Sequence, residues 1–441
     1  MAIIPQRSLF NWDEVEALGD LERLRLVLMY LPDEVLMRQL EQERGVGRNE
    51  YPVRPVWNSI LAAVVYQHRS IESLRRELQR NAQLRQLCGF EPLAGERAVP
   101  PAWAYTRFLK KLLEHQQQID EMFDQMVDVL GEVLPEFGRV LGNDGKAIQT
   151  AARPPKKDAP RKRRDGRRDV DADWGAKSRK GQKEDGTLYE QVTYWFGYKL
   201  HLIVEANYEL PVAYEVTKAS AAETPQAREL YKKVAKRHAK LVEACQVAVA
   251  DKEFDDTELI EWLWDEHGIK PVIPIRDLWK DGEQTRRVSA TRNVVYDYEG
   301  TVSCCCMKTG QLSRMAYAGF EKDRETLKYR CPAAHYGMSC PAFGECRVKG
   351  SVRIKLDEDR RVFTPLARSS YAWKRAYRKR SAVERVNSRV DRVFEFEEHF
   401  IRGLGKMKLR LGLAMLVMLA MAVGRVKEKQ KDKLRSLLKA A

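Results

Sequence analysis

Between residues 20 and 135 the apolar positions recur with helical spacing. Val56, Trp57, Ile60, Leu61, Val64 and Val65 form one stripe behind Pro55, a residue suited to a first helical turn. Ser70 has the place of an N-cap for a second helix, one that turns Leu74 and Leu78 inward and Arg75, Arg76 and Arg80 outward. Pro100 and Pro101 open a longer helical pattern that runs to Leu130. Beyond Val140 the period shortens and β-branched and aromatic residues gather. The pattern predicts strands at 139–143, 195–205 and 210–217, a helix from Thr224 to about His238, a strand at 246–250, a helix at 255–267 and a strand at 270–275. That order is the order of a mixed α/β domain. Residues 278–365 interrupt it with short strands, turns and cysteines. They hold few long apolar runs, so little core of their own is expected. Helix resumes near Tyr371.

The predicted organisation is therefore a helical N-terminal domain (1–135), whose two short helices with a basic outer face suit either a DNA groove or plain helical packing, an α/β core (136–277) with a mobile basic loop at 153–187, a Cys-rich β/loop insertion (278–365), and a closing segment (366–441) that returns a helix to the core and ends in an apolar helix. The 441 residues, 44% hydrophobic and 32% charged, suit more than one packed core and exclude a disordered or fibrous chain. The apolar run 411–423 is shorter than the roughly 20 residues of a bilayer span and reads as a buried helix. The first residues lack the charged start and apolar stretch of a secretion signal, and the reading is cytoplasmic, without a membrane partner.

Charge changes the picture more than composition does. Residues 153–180 carry 12 basic side chains against 5 acidic, and residues 368–410 carry 13 against 5, which together equal the net +15 of the whole chain. Positive charge concentrated in this way fits a polyanion, because each neutralised phosphate releases condensed counterions. Arg161, Lys162, Arg163 and Arg164 are the densest cluster. A solvated basic face is the plainer alternative.

Asp144 and Asp251 each stand at the end of a predicted apolar strand, where α/β sheets collect their sites, although a lone aspartate there is more often a turn or cap residue. On a helix over 371–395, Tyr377, Arg380 and Asp391 share a face with Glu384, while Val383, Val386, Val390 and Val393 form an apolar seam. Arg378, Arg385, Arg389 and Arg392 make a cationic stripe. The plain reading of Glu384 is an ion pair with Arg380 one turn away.

Four segments in order carry a resemblance: Asn143-Asp144-Gly145-Lys146, Phe196-Gly197-Tyr198-Lys199-Leu200-His201, Ala250-Asp251-Lys252-Glu253-Phe254-Asp255, and Tyr377-x-x-Arg380-x-x-x-Glu384-Arg385-Val386-Asn387. Together they resemble bacterial insertion-sequence DDE transposases, from about residue 20 to 425, with Pro32-Asp33-Glu34 in the part that resembles the family's N-terminal domain. The resemblance implies a ribonuclease H-like mixed sheet with flanking helices. It implies that Asp144, Asp251 and Glu384 hold Mg²⁺ or Mn²⁺, two ions in all, and that Tyr377 and Arg380 serve beside the glutamate. Arg385, Arg389 and Arg392 join the basic loop as DNA contacts. Where the family pattern has a lysine seven residues after the glutamate, this chain has Asp391. The implied activity is cleavage at element ends and transfer of the freed 3′-hydroxyl to target DNA. Its partners would be double-stranded terminal repeats and target DNA, engaged by a homodimer or larger assembly at the bacterial nucleoid.

Two other readings stay beside it: a metal-dependent nuclease of the same fold that cuts without joining, and a DNA-binding regulator with a decayed triad. His399-Phe400-Ile401-Arg402 matches a fragment of tyrosine recombinases, but no tyrosine follows Arg402. No P-loop and no H-E-x-x-H motif is present. Six of the eight cysteines fall between Cys304 and Cys346. Cys306, Cys331, Cys340 and Cys346 are the candidate set for a structural zinc, with Cys304 or His335 as substitutes, and unliganded thiols are the alternative. Cys88 and Cys245 read as core residues.

Overall fold

The computed structural model describes residues 19–45, 51–154, 168–182, 187–276, 279–289, 291–346, 348 and 350–435. The chain divides into two units, one of residues 1–135, 148–198 and 388–441, the other of residues 136–147 and 199–387.

The first unit is mostly helical: Glu22–Tyr30, Glu34–Arg44, Val53–Val65, Ile71–Arg80, Ala82–Cys88, Ala102–Leu112, Gln116–Val133 and Leu404–Lys427. The predicted apolar stripe is buried, with Trp57 and Leu61 fully inaccessible, and the Trp57 indole N–H donates to Asp33 at 2.5 Å. Ser70 does cap its helix, accepting from the Ser73 amide at 3.1 Å, and Leu74 and Leu78 are buried as predicted. The long helix expected after Pro101 is broken by a tighter turn at Leu113–His115. Leu404–Lys427 is long and apolar enough to cross a membrane, yet most of it is buried, packed on the Gln116–Val133 and Glu22–Tyr30 helices. This C-terminal helix thus groups with the N-terminal helices rather than with the segment that bears Glu384.

Part of the stretch read as a mobile loop is regular structure. Asp173–Gln182 forms strand β2, which pairs antiparallel over ten residues with the start of a long strand, β3 (Leu188–Glu205). Gly175 makes room for the pairing, since a Cβ there would collide with the Trp195 ring. Charged and glycine residues hid the strand because its partner, not its own apolar periodicity, supplies the ladder. Arg161, Lys162, Arg163 and Arg164 lie outside the described residues.

Six strands pair in the order β2-β3-β1-β5-β6, with β4 (Leu210–Lys218) also on β3; β1 is Val140–Gln149, β5 Val247–Val249 and β6 Lys270–Val272. β1, β5 and β6 run parallel. The helix expected from Thr224 is Glu223–Arg237, and the one expected at 255–267 is a short helix, Thr257–Glu261, that widens into a π-turn at Trp262–Glu266.

The Cys-rich segment departs from expectation. It has two antiparallel sheets, one of four short strands between Arg286 and Arg314 and one of three between Ala316 and Lys355. Their inner faces share a core that includes Val294, Val302, Leu327, Tyr329, Ile354 and Phe363, joined by Trp264. So the segment does have a core. Alternating strands of two to six residues never give a long apolar run, although their buried faces add up.

Candidate active site

The placement of the carboxylates starts from strand register. Gly142 pairs with Val249 in the parallel β1–β5 ladder, and two residues further along each strand stand Asp144 and Asp251. Asp251 lies just past the end of β5, as expected, whereas β1 runs on beside β3 to Gln149, so Asp144 lies inside the strand, two residues beyond its last pairing with β5, and not at the strand end expected at 143. Asp251 Oδ1 accepts from the Glu253 amide at 2.8 Å, which caps the turn that follows.

Successive residues of β1 face opposite sides. Asn143 and Gly145 look toward the Glu223–Arg237 helix: Tyr231 donates to Asn143 at 3.2 Å, and a Cβ on Gly145 would meet the Glu223 carboxylate at 2.6–2.9 Å. Gly142 and Asp144 look toward the Ser381–Arg392 helix. A Cβ on Gly142 would stand 2.6 Å from Val383, so the glycine lets that helix settle on the strand. Val383, Val386 and Val390 are fully buried, which confirms the apolar seam; Val393 lies beyond the helix end. The expected continuous helix is instead Tyr371–Tyr377, a tight turn at Arg378–Arg380, and Ser381–Arg392, with Asp391 half-buried in its last turn.

Docked this way, the helix brings two side chains into play one turn apart. Glu384 accepts from Arg380 at 2.6 Å, and Asn387 donates to Asp144 Oδ2 at 3.1 Å while its own Oδ1 is buried without a partner. The Asp144 carboxylate also accepts from the Gly145 amide at 2.8 Å. The Arg380 guanidinium lies 5.8 Å from the centre of the Tyr377 ring, which is stacked at 5.0 Å on Trp373. Burial alone would lower the Arg380 pKa, but Tyr377, Glu384 and Asp144 together raise it. Burial raises the Tyr377 hydroxyl, Arg380 opposes the rise, and Asp251 and Glu384 add to it. All three acids therefore act on one Tyr–Arg pair. Asn387 was quoted in the sequence motif without a role, and its one-turn offset from Glu384 was the signal that could have found it.

The remaining motif residues support the site. Lys199 is buried, donating to the Ala221 carbonyl at 3.0 Å and lying 3.2 Å from Glu223. His201 meets the Thr217 hydroxyl at 2.9 Å and is pushed down to about 4, by burial first and then by Lys199. Asp255, almost fully buried, accepts from the Arg276 amide at 2.8 Å and pairs with Arg361, which ties the end of the Cys-rich segment to the turn after Asp251. Arg385, read as a DNA contact, is engaged by the buried Glu209 at 2.7 Å. Arg389 donates to the Arg435 carbonyl at 3.2 Å, and Arg392 is exposed.

Among the described residues, no three His, Cys, Asp or Glu side chains gather closely enough to hold a metal ion as they stand. For the carboxylates the donor chemistry fits a hard divalent cation, with oxygen ligands from within β1, from just past the end of β5 and from one docked helix. Cys304, Cys306, Cys331, Cys340 and Cys346 all line one cavity of about 50 Å³, but not as a ligand group. Burial pushes the Cys304 thiol up to about 11, with nearby Cys331, Cys340 and Cys346 adding to it. The half-buried Cys306 is drawn down to about 7, chiefly by the Thr309 hydroxyl and the Lys308 and Thr309 amides.

The transposase DDE domain family matches residues 144–420, a span that begins at Asp144 and includes Asp251 and Glu384; the chain belongs to this family and is a transposase, an enzyme acting on DNA. No curated protein matches the sequence. One similar solved structure is a piggyBac transposase synaptic complex with hairpin DNA, at 11% identity and a TM-score of 0.41, over 96% of this chain and 80% of that one.

Proposed function

We propose that this transposase belongs to a bacterial insertion sequence, cleaves the ends of its element and joins the freed 3′-hydroxyl to target DNA. The observation that supports the reading is the register of β1 and β5, with Asp144 and Asp251 each two residues beyond the paired Gly142 and Val249, and Glu384 on the helix that Gly142 admits. Asp144, Asp251 and Glu384 would hold Mg²⁺ or Mn²⁺, as DDE transposases generally require divalent metal. The chemistry such ions supply is stabilisation of charge on the attacking and leaving oxygens of an in-line displacement. Asn387 fixes the Asp144 carboxylate. Tyr377 and Arg380 would offer a phosphate-binding surface beside Glu384, and Arg392 and the basic residues Arg161, Lys162, Arg163 and Arg164 would add DNA contacts of their own. The protein would act as a dimer or larger assembly on terminal repeats, in the cytoplasm at the nucleoid.

The test uses DNA flanking the gene. Fragments that carry its inverted repeats should be nicked at the element boundary in Mg²⁺, and a pre-cut end with a free 3′-hydroxyl should be joined to a plasmid. Cutting without joining would favour the nuclease alternative. Neither activity, with binding retained, would favour the decayed regulator.

A structural zinc in the cysteine cavity, on Cys306, Cys331, Cys340 and Cys346 with Cys304 in reserve, is a second proposal. Because the segment has its own core, such an ion would tie the Cys331–Cys346 loop to the Cys304–Cys306 strand end rather than replace a missing core.

A further inference from the structure

Glu384 is more than half exposed, yet its carboxylate is occupied by the Arg380 guanidinium at 2.6 Å, across the junction between a tight turn and the helix. The guanidinium is not a loose surface group. It is three-quarters buried, braced over Tyr377, whose ring is in turn stacked on Trp373. Asp144 and Asp251 each lie two residues beyond the last paired positions of β1 and β5, and among the described residues the three acids form no group of three. A fixed positive charge thus stands where the third ligand would be recruited.

Guanidinium also binds phosphate in a bidentate, charge-assisted geometry that exceeds a single-point contact to a carboxylate. We propose that Arg380 is a latch on Glu384: it holds the glutamate in an ion pair until a DNA phosphate takes the guanidinium, and the released carboxylate then completes the cation site. Cation binding and DNA binding are thereby coupled, and by linkage each strengthens the other by the same factor. The size of the effect is limited by the worth of a partly exposed ion pair, so the coupling through this contact is about two- to fivefold. The latch would keep the free enzyme poorly loaded and confine cleavage chemistry to DNA already seated. It rests on the carboxylate reading given above.

The test is Mn²⁺ titration of the full chain, followed by the free-ion paramagnetic resonance signal, without and with a short duplex. Arg380→Gln should bind Mn²⁺ about two- to fivefold more tightly than wild type in the absence of DNA, and duplex should then add less to its affinity than to that of wild type. Lys379→Gln removes the same charge one residue away, where the lysine donates to the Asn207 side-chain oxygen at 3.0 Å; it controls for simple loss of repulsion. Equal tightening in both variants, or none in Arg380→Gln, overturns the latch. Asp144→Ala separates the two failures. If it leaves Mn²⁺ binding untouched, the carboxylate reading itself is wrong; if it abolishes binding while Arg380→Gln behaves as wild type, only the latch falls. Circular dichroism on each variant confirms that the fold is intact.

Discussion

Two places in the second unit collect potential metal ligands, and they are built differently. The carboxylates come from within β1, from just past the end of β5 and from a helix far along the chain, and each has a specific companion: Asn387 on Asp144, Arg380 on Glu384, the Glu253 amide on Asp251. The thiols come from one local segment and share the lining of a cavity. The first arrangement defines orientation, which phosphoryl transfer requires. The second defines only proximity. A set of ligand-type residues therefore says little until its supporting contacts are known.

The widest gap between the two regions should appear in activity. Asp144→Ala, Asp251→Ala or Glu384→Ala is expected to abolish cleavage while leaving DNA binding nearly intact, whereas Cys331→Ser with Cys346→Ser should leave cleavage within a few-fold. A gel assay of end cleavage beside a binding isotherm checks both, and near-normal cleavage by any one acid variant removes that residue from the triad. Asn387→Ala should come next, lowering cleavage by roughly 10- to 100-fold, the usual cost of losing a group that orients a ligand. Its thermal midpoint should barely move, which distinguishes orientation from general destabilisation.

DNA grip should separate from chemistry. Replacing Arg161, Lys162, Arg163 and Arg164 with Ala should reduce the log–log salt slope of binding by about 0.9 for each DNA phosphate that is no longer neutralised. An unchanged slope would make the loop a solvated spacer. On the thiol side, reduced protein should carry about one zinc, released by chelator with greater protease sensitivity confined to the Cys331–Cys346 loop, since the sheets around it keep their core. Zinc-free protein with that loop equally resistant would leave the cysteines as ordinary thiols.

The smallest effect concerns pH. His201 is held neutral in the fold down to about 4, whereas in the unfolded chain it protonates below about 6.5. The unfolded state therefore binds the extra proton first, and stability is lost as pH falls through that window. Urea unfolding of wild type and His201→Gln at several pH values should show the difference between them changing between 6.5 and 4 and flat above 7.

The motifs carried much of this protein in the chain itself. Apolar periodicity sufficed for the buried stripe behind Pro55, the Ser70 cap, the valine seam of the Glu384 helix and the buried helix at the C-terminal end, because each depends on residues three or four apart. The family could be read from short segments for the same reason: Asp144, Asp251 and Glu384 each sit in a recognisable local run. What the tertiary structure alone decided are matters of partnership across long separations. β2 exists because β3 pairs with it, and the Cys-rich segment has a core because faces of many short strands meet. Arg385 went to Glu209 instead of staying free, and Asn387 acquired its role only when Gly142 let the helix reach β1. Local spacing encodes which face of an element is apolar. Which surface that face meets, and so which charge stands beside which acid, is decided only when distant elements pack.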